Sequence, residues 1–115
     1  MPSREWQLRV QDILNSAIAI QNRTQGYTYE QFCDDETVNK ATLYDFVIIG
    51  EAAIYIPSTL KEKYPDIPWR MMADMRNVMA HEYFQIRLRT VWEGVEMDIP
   101  LLIEQLNELI KHENL

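Results

Sequence analysis

Apolar residues recur every three or four positions along most of the chain, and strict alternation of apolar and polar residues is nearly absent. This pattern predicts an all-α protein. The first helix is predicted from about Ser3 to Arg23, with Ser3 as its N-cap, Glu5 in its first turn and Gly26 as its stop. Its apolar stripe consists of Trp6, Val10, Ile13, Leu14, Ala17 and Ile20.

A second long helix is predicted from about Asp34 to Ile56, where Pro57 prevents a regular extension. Its second half, residues 46–56, is apolar nearly all round, which indicates burial on more than one side. Either a second subunit covers one of these sides, or this is the central core helix of a monomer, and the sequence favours neither. Three small residues would let another helix approach closely: Gly50, Ala52 and Ala53.

The third helix is predicted to open at Pro68 or Trp69 and to end at about Tyr83 or Phe84. Asp98 is predicted to cap the last helix, with Pro100 in its first turn. The inward stripe of this helix is Ile99, Leu102, Ile103, Leu106, Leu109 and Ile110. Shorter helical segments or turns are predicted at 28–32, where Thr28 and Gln31 have capping-box spacing, at 58–64 and at 90–94. Four principal helices with short links predict one domain over residues 1–115, an antiparallel up-and-down bundle with short accessory helices.

Composition narrows the class of protein. The chain has 115 residues, 47% of them apolar, and the lone Cys33 cannot form an intrachain disulfide. Neither a membrane span nor a signal peptide is evident, so we expect a soluble, cytoplasmic protein. The net charge of −7 disfavours a surface-wide grip on DNA or RNA. Residues 61–89, with six basic against four acidic side chains, are the best place to look for an anion site.

The third helix carries an unusual set of polar groups. Arg76, Asn77, His81 and Tyr83 offer a guanidinium, an amide, an imidazole and a phenol within eight residues. Arginine can grip a phosphate in a fork, and histidine can move protons near neutral pH, so the set fits phosphate chemistry. The apolar sector of the helix, Met71, Met72, Met75, Val78 and Met79, is interpreted as core filling.

Helical spacing limits this hypothesis. Arg76 and His81 point about 140° apart on an ideal helix, whereas Asn77 lies on the side of His81 and Tyr83 nearly superposes on Arg76. A concentrated site therefore requires the arginine to wrap round the helix, the helix to distort, or a second copy of the helix to face the first. The third option agrees with the apolar second helix, because a twofold dimer could bring two such pairs into one cleft.

Each of these residues also has a structural interpretation. His81 suits the carbonyl groups at a helix C-terminus, Arg76 could be a surface ion-pair partner, and Tyr83 could pack with a wet hydroxyl. His112 is expected to be exposed and idle. The sequence has no zinc-ligand spacing, glycine-rich phosphate loop or serine elbow, so the residues allow a mechanism without metal or cofactor.

The motif Arg76-x4-His81-x-Tyr83 resembles that of the HepT-like branch of the HEPN superfamily. Similar flanking blocks occur in the usual order, so the resemblance covers about Trp6 to Leu109. The blocks are Ile48-Ile-Gly-Glu-Ala-Ala53, Tyr64-Pro-Asp-Ile-Pro-Trp-Arg70, Met75-Arg-Asn77 and Val91-Trp92 before Asp98-Ile-Pro-Leu101.

The resemblance implies an all-α homodimer that acts as a toxin ribonuclease, with RNA as substrate and an MntA-type nucleotidyltransferase as antitoxin. It implies that Arg76 and His81 are the catalytic pair, that Asn77 supports them, and that the antitoxin attaches AMP to Tyr83. It also implies metal-independent cleavage in which the RNA 2′-hydroxyl is the nucleophile and a cyclic phosphate remains. The alternative is a non-catalytic subunit that binds nucleotide or partner in a nucleotidyltransferase complex.

Overall fold

The computed structural model describes residues 5–81 and 83–115, and of Tyr83 only the backbone. Every regular element in these ranges is helical, which confirms the all-α prediction. The α-helices are α1 (Trp6–Thr24), α2 (Tyr29–Asp34), α3 (Glu36–Ile54), α4 (Ser58–Lys63), α5 (Trp69–His81), α6 (Leu88–Glu93) and α7 (Ile99–His112). A 3₁₀ turn covers Tyr83–Gln85, and a π-helical segment covers Gly94–Asp98. No helix in the described part of the chain is long and apolar enough to cross a membrane.

The core of the bundle is organised around α3, which packs against α1 on one side and α5 on another, while α1 also contacts α7. The predicted stripes of α1 and α7 face inward: Val10, Ile13, Leu106 and Leu109 are fully buried. Burial of such side chains contributes about 1.5–3 kcal/mol each, so the two stripes hold the outer helices onto α3.

α2 and α3 each begin at a capped residue. Thr28 and Gln31 form the predicted capping box at α2. Asp35 then accepts a hydrogen bond from the Val38 backbone N–H at 3.1 Å and one from the Tyr27 hydroxyl at 2.8 Å. These hydrogen bonds, with that of Tyr27 first, lower the pKa of Asp35 and stabilise its charged form at the helix N-terminus.

The axes of α3 and α5 approach closely at Gly50. A Cβ atom placed there would overlap the Arg76 Cβ atom and lie 2.5 Å from the Met72 carbonyl oxygen. Only glycine leaves room for this crossing. Gly50, one of the small residues predicted to let another helix approach, therefore contacts a helix of the same chain. The core-helix interpretation requires such a contact.

Several helix ends differ from the predictions. Ser3 lies outside the described residues; α1 begins at Trp6, and Glu5 occupies the N-cap position without a side-chain cap hydrogen bond. α3 ends at Ile54, two residues before the predicted end at Ile56. Gly26 does provide the predicted stop after α1, with a φ of 79° that glycine adopts without strain.

The segment from α6 to α7 is more continuous than predicted. The turn expected at 90–94 is the helix Leu88–Glu93, which passes through Gly94–Asp98 into α7. Asp98 therefore has helical backbone angles and no side-chain cap hydrogen bond, so the predicted cap is wrong. Pro100 does lie in the first turn of α7, as predicted.

Candidate active site

The candidate site centres on the Arg76 guanidinium, which lies between α5 and α3. Its Nε donates to Glu51 Oε2 at 2.8 Å, and its Nη2 lies 2.7 Å from the same oxygen. Its Nη1 donates to Asn77 Oδ1 at 2.7 Å. The Arg76 side chain is 27% exposed and that of Glu51 is 39% exposed. The guanidinium is thus oriented from two sides while part of it stays open to solvent.

These contacts leave hydrogen-bonding capacity for a ligand. A guanidinium has five N–H donors, and the contacts with Glu51 and Asn77 use one hydrogen on each of the three nitrogens. Nη1 and Nη2 each keep a second hydrogen, and such hydrogens can donate to the oxygens of a phosphate group. The Glu51 carboxylate therefore holds one edge of the Arg76 guanidinium, and the remaining N–H groups can donate to an anion.

His81 is the last residue of α5, and its side chain is exposed. Because α5 is α-helical from Trp69 to His81, the angular separation from Arg76 expected for an ideal helix is preserved. Helix distortion does not bring the two groups together, and the hydrogen bonds of Arg76 hold its side chain toward α3. A single chain therefore does not assemble the guanidinium and the imidazole side by side.

Asn77 makes a contact that helical spacing did not predict, since its side chain accepts a hydrogen bond from Arg76. Its predicted position on the side of His81 stays a prediction. The prediction that the helix continues to Tyr83 is wrong, because α5 ends at His81 and the backbone at Tyr83 belongs to the 3₁₀ turn. The Tyr83 side chain lies outside the described residues, so its modification stays a prediction.

Glu51 is the site residue that the sequence analysis missed as a functional group. A signal was present, because Glu51 is the only charged residue in the apolar stretch 46–56. A carboxylate in such a stretch requires a partner, since an unpaired buried charge is costly. The identity of that partner depends on how α3 and α5 pack, which periodicity does not specify.

The apolar sector of α5 is only partly buried. Met72 and Met79 are buried in the core, as their interpretation as core filling requires, but Met71 and Val78 are each 42% exposed. These two exposed residues lie along an apolar groove of 370 Å³ that also includes Met75 and Ile86. Core filling is therefore a correct interpretation for only part of the methionine sector.

Two further features help to place the site. A cavity of 870 Å³ lies around Gly26 and Asp35 and contains none of the predicted site residues. In the described residues, no group of three or more His, Cys, Asp or Glu side chains is placed to hold a metal ion. The contacts of Arg76 with Glu51 therefore place the candidate site at the α3–α5 surface.

Comparison with known proteins assigns the chain to a family. The model of the HepT-like ribonuclease family matches residues 13–109. The chain belongs to this family. It is accordingly a ribonuclease of the HEPN type.

Individual relatives agree with the assignment. A putative RNase of Methanocaldococcus jannaschii is 35% identical over 111 residues, which cover 96% of each chain. A probable ribonuclease HepT of Thermococcus cleftensis is 36% identical over 102 residues, 89% of this chain and 93% of its own. A putative RNase of Caldanaerobacter subterraneus is 33% identical over 104 residues, 90% of this chain and 93% of its own. No solved structure matches the chain significantly.

Proposed function

We propose that this protein is the toxin of a HepT/MntA-type toxin–antitoxin pair, a metal-independent endoribonuclease that acts as a homodimer. The observation that carries the proposal is the Arg76 guanidinium, held by Glu51 and Asn77 with its remaining N–H groups available to a phosphate. Arg76 and His81 are the catalytic residues, and Asn77 supports Arg76.

The proposed reaction needs two proton transfers and one anion-stabilising group. His81 of one copy accepts the proton of the RNA 2′-hydroxyl as its oxygen attacks the adjacent phosphorus. Arg76 stabilises the extra negative charge of the phosphorane. The bond to the 5′-oxygen breaks, and the second copy's His81 donates a proton to that leaving group. The products are a 2′,3′-cyclic phosphate and a 5′-hydroxyl.

The separation of Arg76 and His81 within one chain supports the dimer. A continuous α5 and a restrained arginine leave the second copy as the remaining way to gather both groups. The two helices that carry Glu51 and Arg76 also expose large apolar or aromatic side chains to solvent, which a second copy would cover. These are Tyr44 and Ile54 on α3, Tyr55 directly after it, and Met71 and Val78 on α5.

RNA cleavage in the presence of EDTA tests the catalytic assignment. The parent protein is expected to cleave and to leave cyclic-phosphate ends, whereas Arg76→Ala and His81→Ala lose at least about 10²–10³-fold in rate. The controls are Arg70→Ala, an exposed arginine on the same helix, and His112→Ala at the exposed end of α7. Variants of Arg76 or His81 that cleave like the parent would refute the assignment. A parent without activity would favour the alternative, a non-catalytic subunit that binds nucleotide or partner.

Light scattering during size-exclusion chromatography tests the dimer. Tyr44→Glu introduces a charge at a 67% exposed position of α3, so we expect a folded monomer that does not cleave RNA. Leu101→Glu is the matched control, because Leu101 is 55% exposed on α7, away from the α3–α5 surface. A parent that is monomeric and still active would contradict the shared cleft.

Incubation with an MntA-type nucleotidyltransferase and ATP tests the neutralisation step. We propose that AMP is attached to the Tyr83 hydroxyl, where a bulky anion would compete with the substrate phosphate for the cleft. Mass spectrometry is expected to show one added AMP per chain with loss of RNA cleavage, and Tyr83→Phe should block both effects. AMP attachment to Tyr83→Phe at the parent level would show that another residue is modified.

A further inference from the structure

We propose that Glu51 is a positioning residue for RNA cleavage, an inference that rests on the proposed function of Arg76. A single oxygen, Oε2, contacts both Nε and Nη2 of Arg76 at 2.8 and 2.7 Å. These two nitrogens form the side edge of the guanidinium, so the carboxylate fixes the plane of the group and directs its end outward. Glu51 therefore acts on the substrate through Arg76.

Stability alone does not account for this pair. Its side chains are 27% and 39% exposed, and ion pairs in such partly solvated positions typically contribute about 0–1 kcal/mol. Glu51 also lies in the apolar stretch 46–56. An apolar residue at this position would continue the apolar surface of α3 without the free-energy cost of placing a charge there. The pair holds the guanidinium in one orientation but contributes little to the free energy of unfolding. This contrast points to orientation of the guanidinium as the role of Glu51.

The packing of the two helices supports the same role. Glu51 directly follows Gly50, the residue whose missing Cβ allows the Arg76 Cβ atom and the Met72 carbonyl to approach α3. The close crossing brings the aliphatic part of the Arg76 side chain against α3. The Glu51 carboxylate, on the next residue of α3, then holds the guanidinium. Asn77 holds Nη1 from the other side, so three nitrogens are restrained by two different helices.

The charge of Glu51 predicts a kinetic signature. The carboxylate compensates the guanidinium charge, which weakens the attraction of Arg76 for the singly charged phosphate of bound RNA. Its orienting effect matters most in the transition state, where the phosphorane carries an additional charge. Removing the charge while keeping the shape should therefore lower kcat without raising KM.

Steady-state cleavage of a short RNA by the full chain tests this prediction with Glu51→Gln. We expect kcat to fall by about 10- to 100-fold, as for a displaced catalytic group, with KM unchanged or lowered. Glu36→Gln is the matched control, because it is the same substitution on the same helix, at a glutamate paired with Lys40 at 3.7 Å. Glu51→Asp keeps the charge and should retain more activity than Glu51→Gln. Thermal melts confirm that each variant is folded at the assay temperature.

A double-mutant cycle with Arg76→Lys shows whether Glu51 acts through Arg76. In Arg76→Lys the ammonium group has no planar edge that Glu51 could hold. Adding Glu51→Gln to Arg76→Lys should therefore change kcat by less than about twofold. An equal kcat loss in both backgrounds would overturn the inference, as would an increased KM with kcat unchanged. If the parent cleaves RNA and Glu51→Gln cleaves equally well, the inference fails and the proposed function stands. If the parent does not cleave, the proposed function fails first and the inference with it.

Discussion

Two arginine–carboxylate pairs join α3 to its neighbours, and they differ in what surrounds them. Arg23 of α1 contacts Asp45 at 2.7 Å, and Arg76 of α5 contacts Glu51 at the same distance. Both arginine side chains are 27% exposed, but the carboxylate side chains are 12% exposed for Asp45 and 39% for Glu51. Both pairs join a guanidinium to a carboxylate, so they differ in how far solvent reaches the carboxylate.

The remaining contacts of the two arginines follow this difference. Arg23 also donates to the hydroxyl of Thr42, which is fully buried, so its second partner lies in the core. Arg76 also contacts Asn77, which is exposed, so its second partner lies at the surface. The α1–α3 pair is suited to holding helices together, and the α3–α5 pair is suited to meeting a ligand.

The largest expected effects come from removing each arginine. Arg76→Ala should reduce the rate of RNA cleavage by about 10²–10³-fold with little change in the free energy of unfolding. Arg23→Ala leaves a mostly buried carboxylate and hydroxyl without their donor, so we expect a loss of about 1–3 kcal/mol in stability with cleavage per folded molecule retained. Denaturant unfolding and cleavage assays on both variants check this contrast. Loss of stability in Arg76→Ala equal to that in Arg23→Ala would remove the distinction between the pairs.

Gly50→Ala is expected to affect stability and cleavage together. The added methyl group would overlap the Arg76 stem, so α5 must shift, at a cost of about 1–3 kcal/mol, and the guanidinium moves with it. Gly94→Ala is the control, because a Cβ atom there would lie 3.4 Å from the Phe46 ring, an ordinary contact. We expect the control to match the parent in both denaturant unfolding and RNA cleavage. A fully active Gly50→Ala protein would show that the close crossing does not position Arg76.

The smallest expected effect concerns Asp35, a third carboxylate held by α3. Its folded-state pKa is lowered, so its contribution to stability is present above the unfolded-state pKa of about 3.9 and is lost as pH falls through the folded value. Asp35→Asn keeps a capping oxygen but removes the charge, and stability should then fall less steeply with pH below about 4. Denaturant unfolding at a series of acidic pH values measures this slope. An unchanged slope would show that Asp35 does not contribute to the acid dependence.

Periodicity was sufficient to predict the helices that carry continuous apolar stripes. α1 and α7 follow their predicted stripes because each helix packs mainly through a single face. The end of α5 and the continuity from α6 through Gly94–Asp98 into α7 were not predicted, because local chain geometry decides them and the apolar spacing does not.

The candidate site was predictable in its residue types and less so in its contacts. The motif selected Arg76 and His81 as candidates, and their separation on the helix followed from spacing alone. The contact with Glu51 joins residues 25 positions apart and depends on the packing of two helices. The even choice between a core helix and a subunit interface for α3 also had a physical origin. α3 buries Gly50 against α5, as a core helix does, and exposes Tyr44 and Ile54, which is the surface that the proposed dimer would cover.

The distance in sequence between Glu51 and Arg76 has a consequence for the protein during its synthesis. A nascent chain contains Glu51 well before α5 has left the ribosome, and neither residue can orient the other until the two helices dock. Under the proposed function, nuclease competence then appears only after native tertiary packing. The cell that makes this protein would be protected from half-made copies by the folding reaction itself.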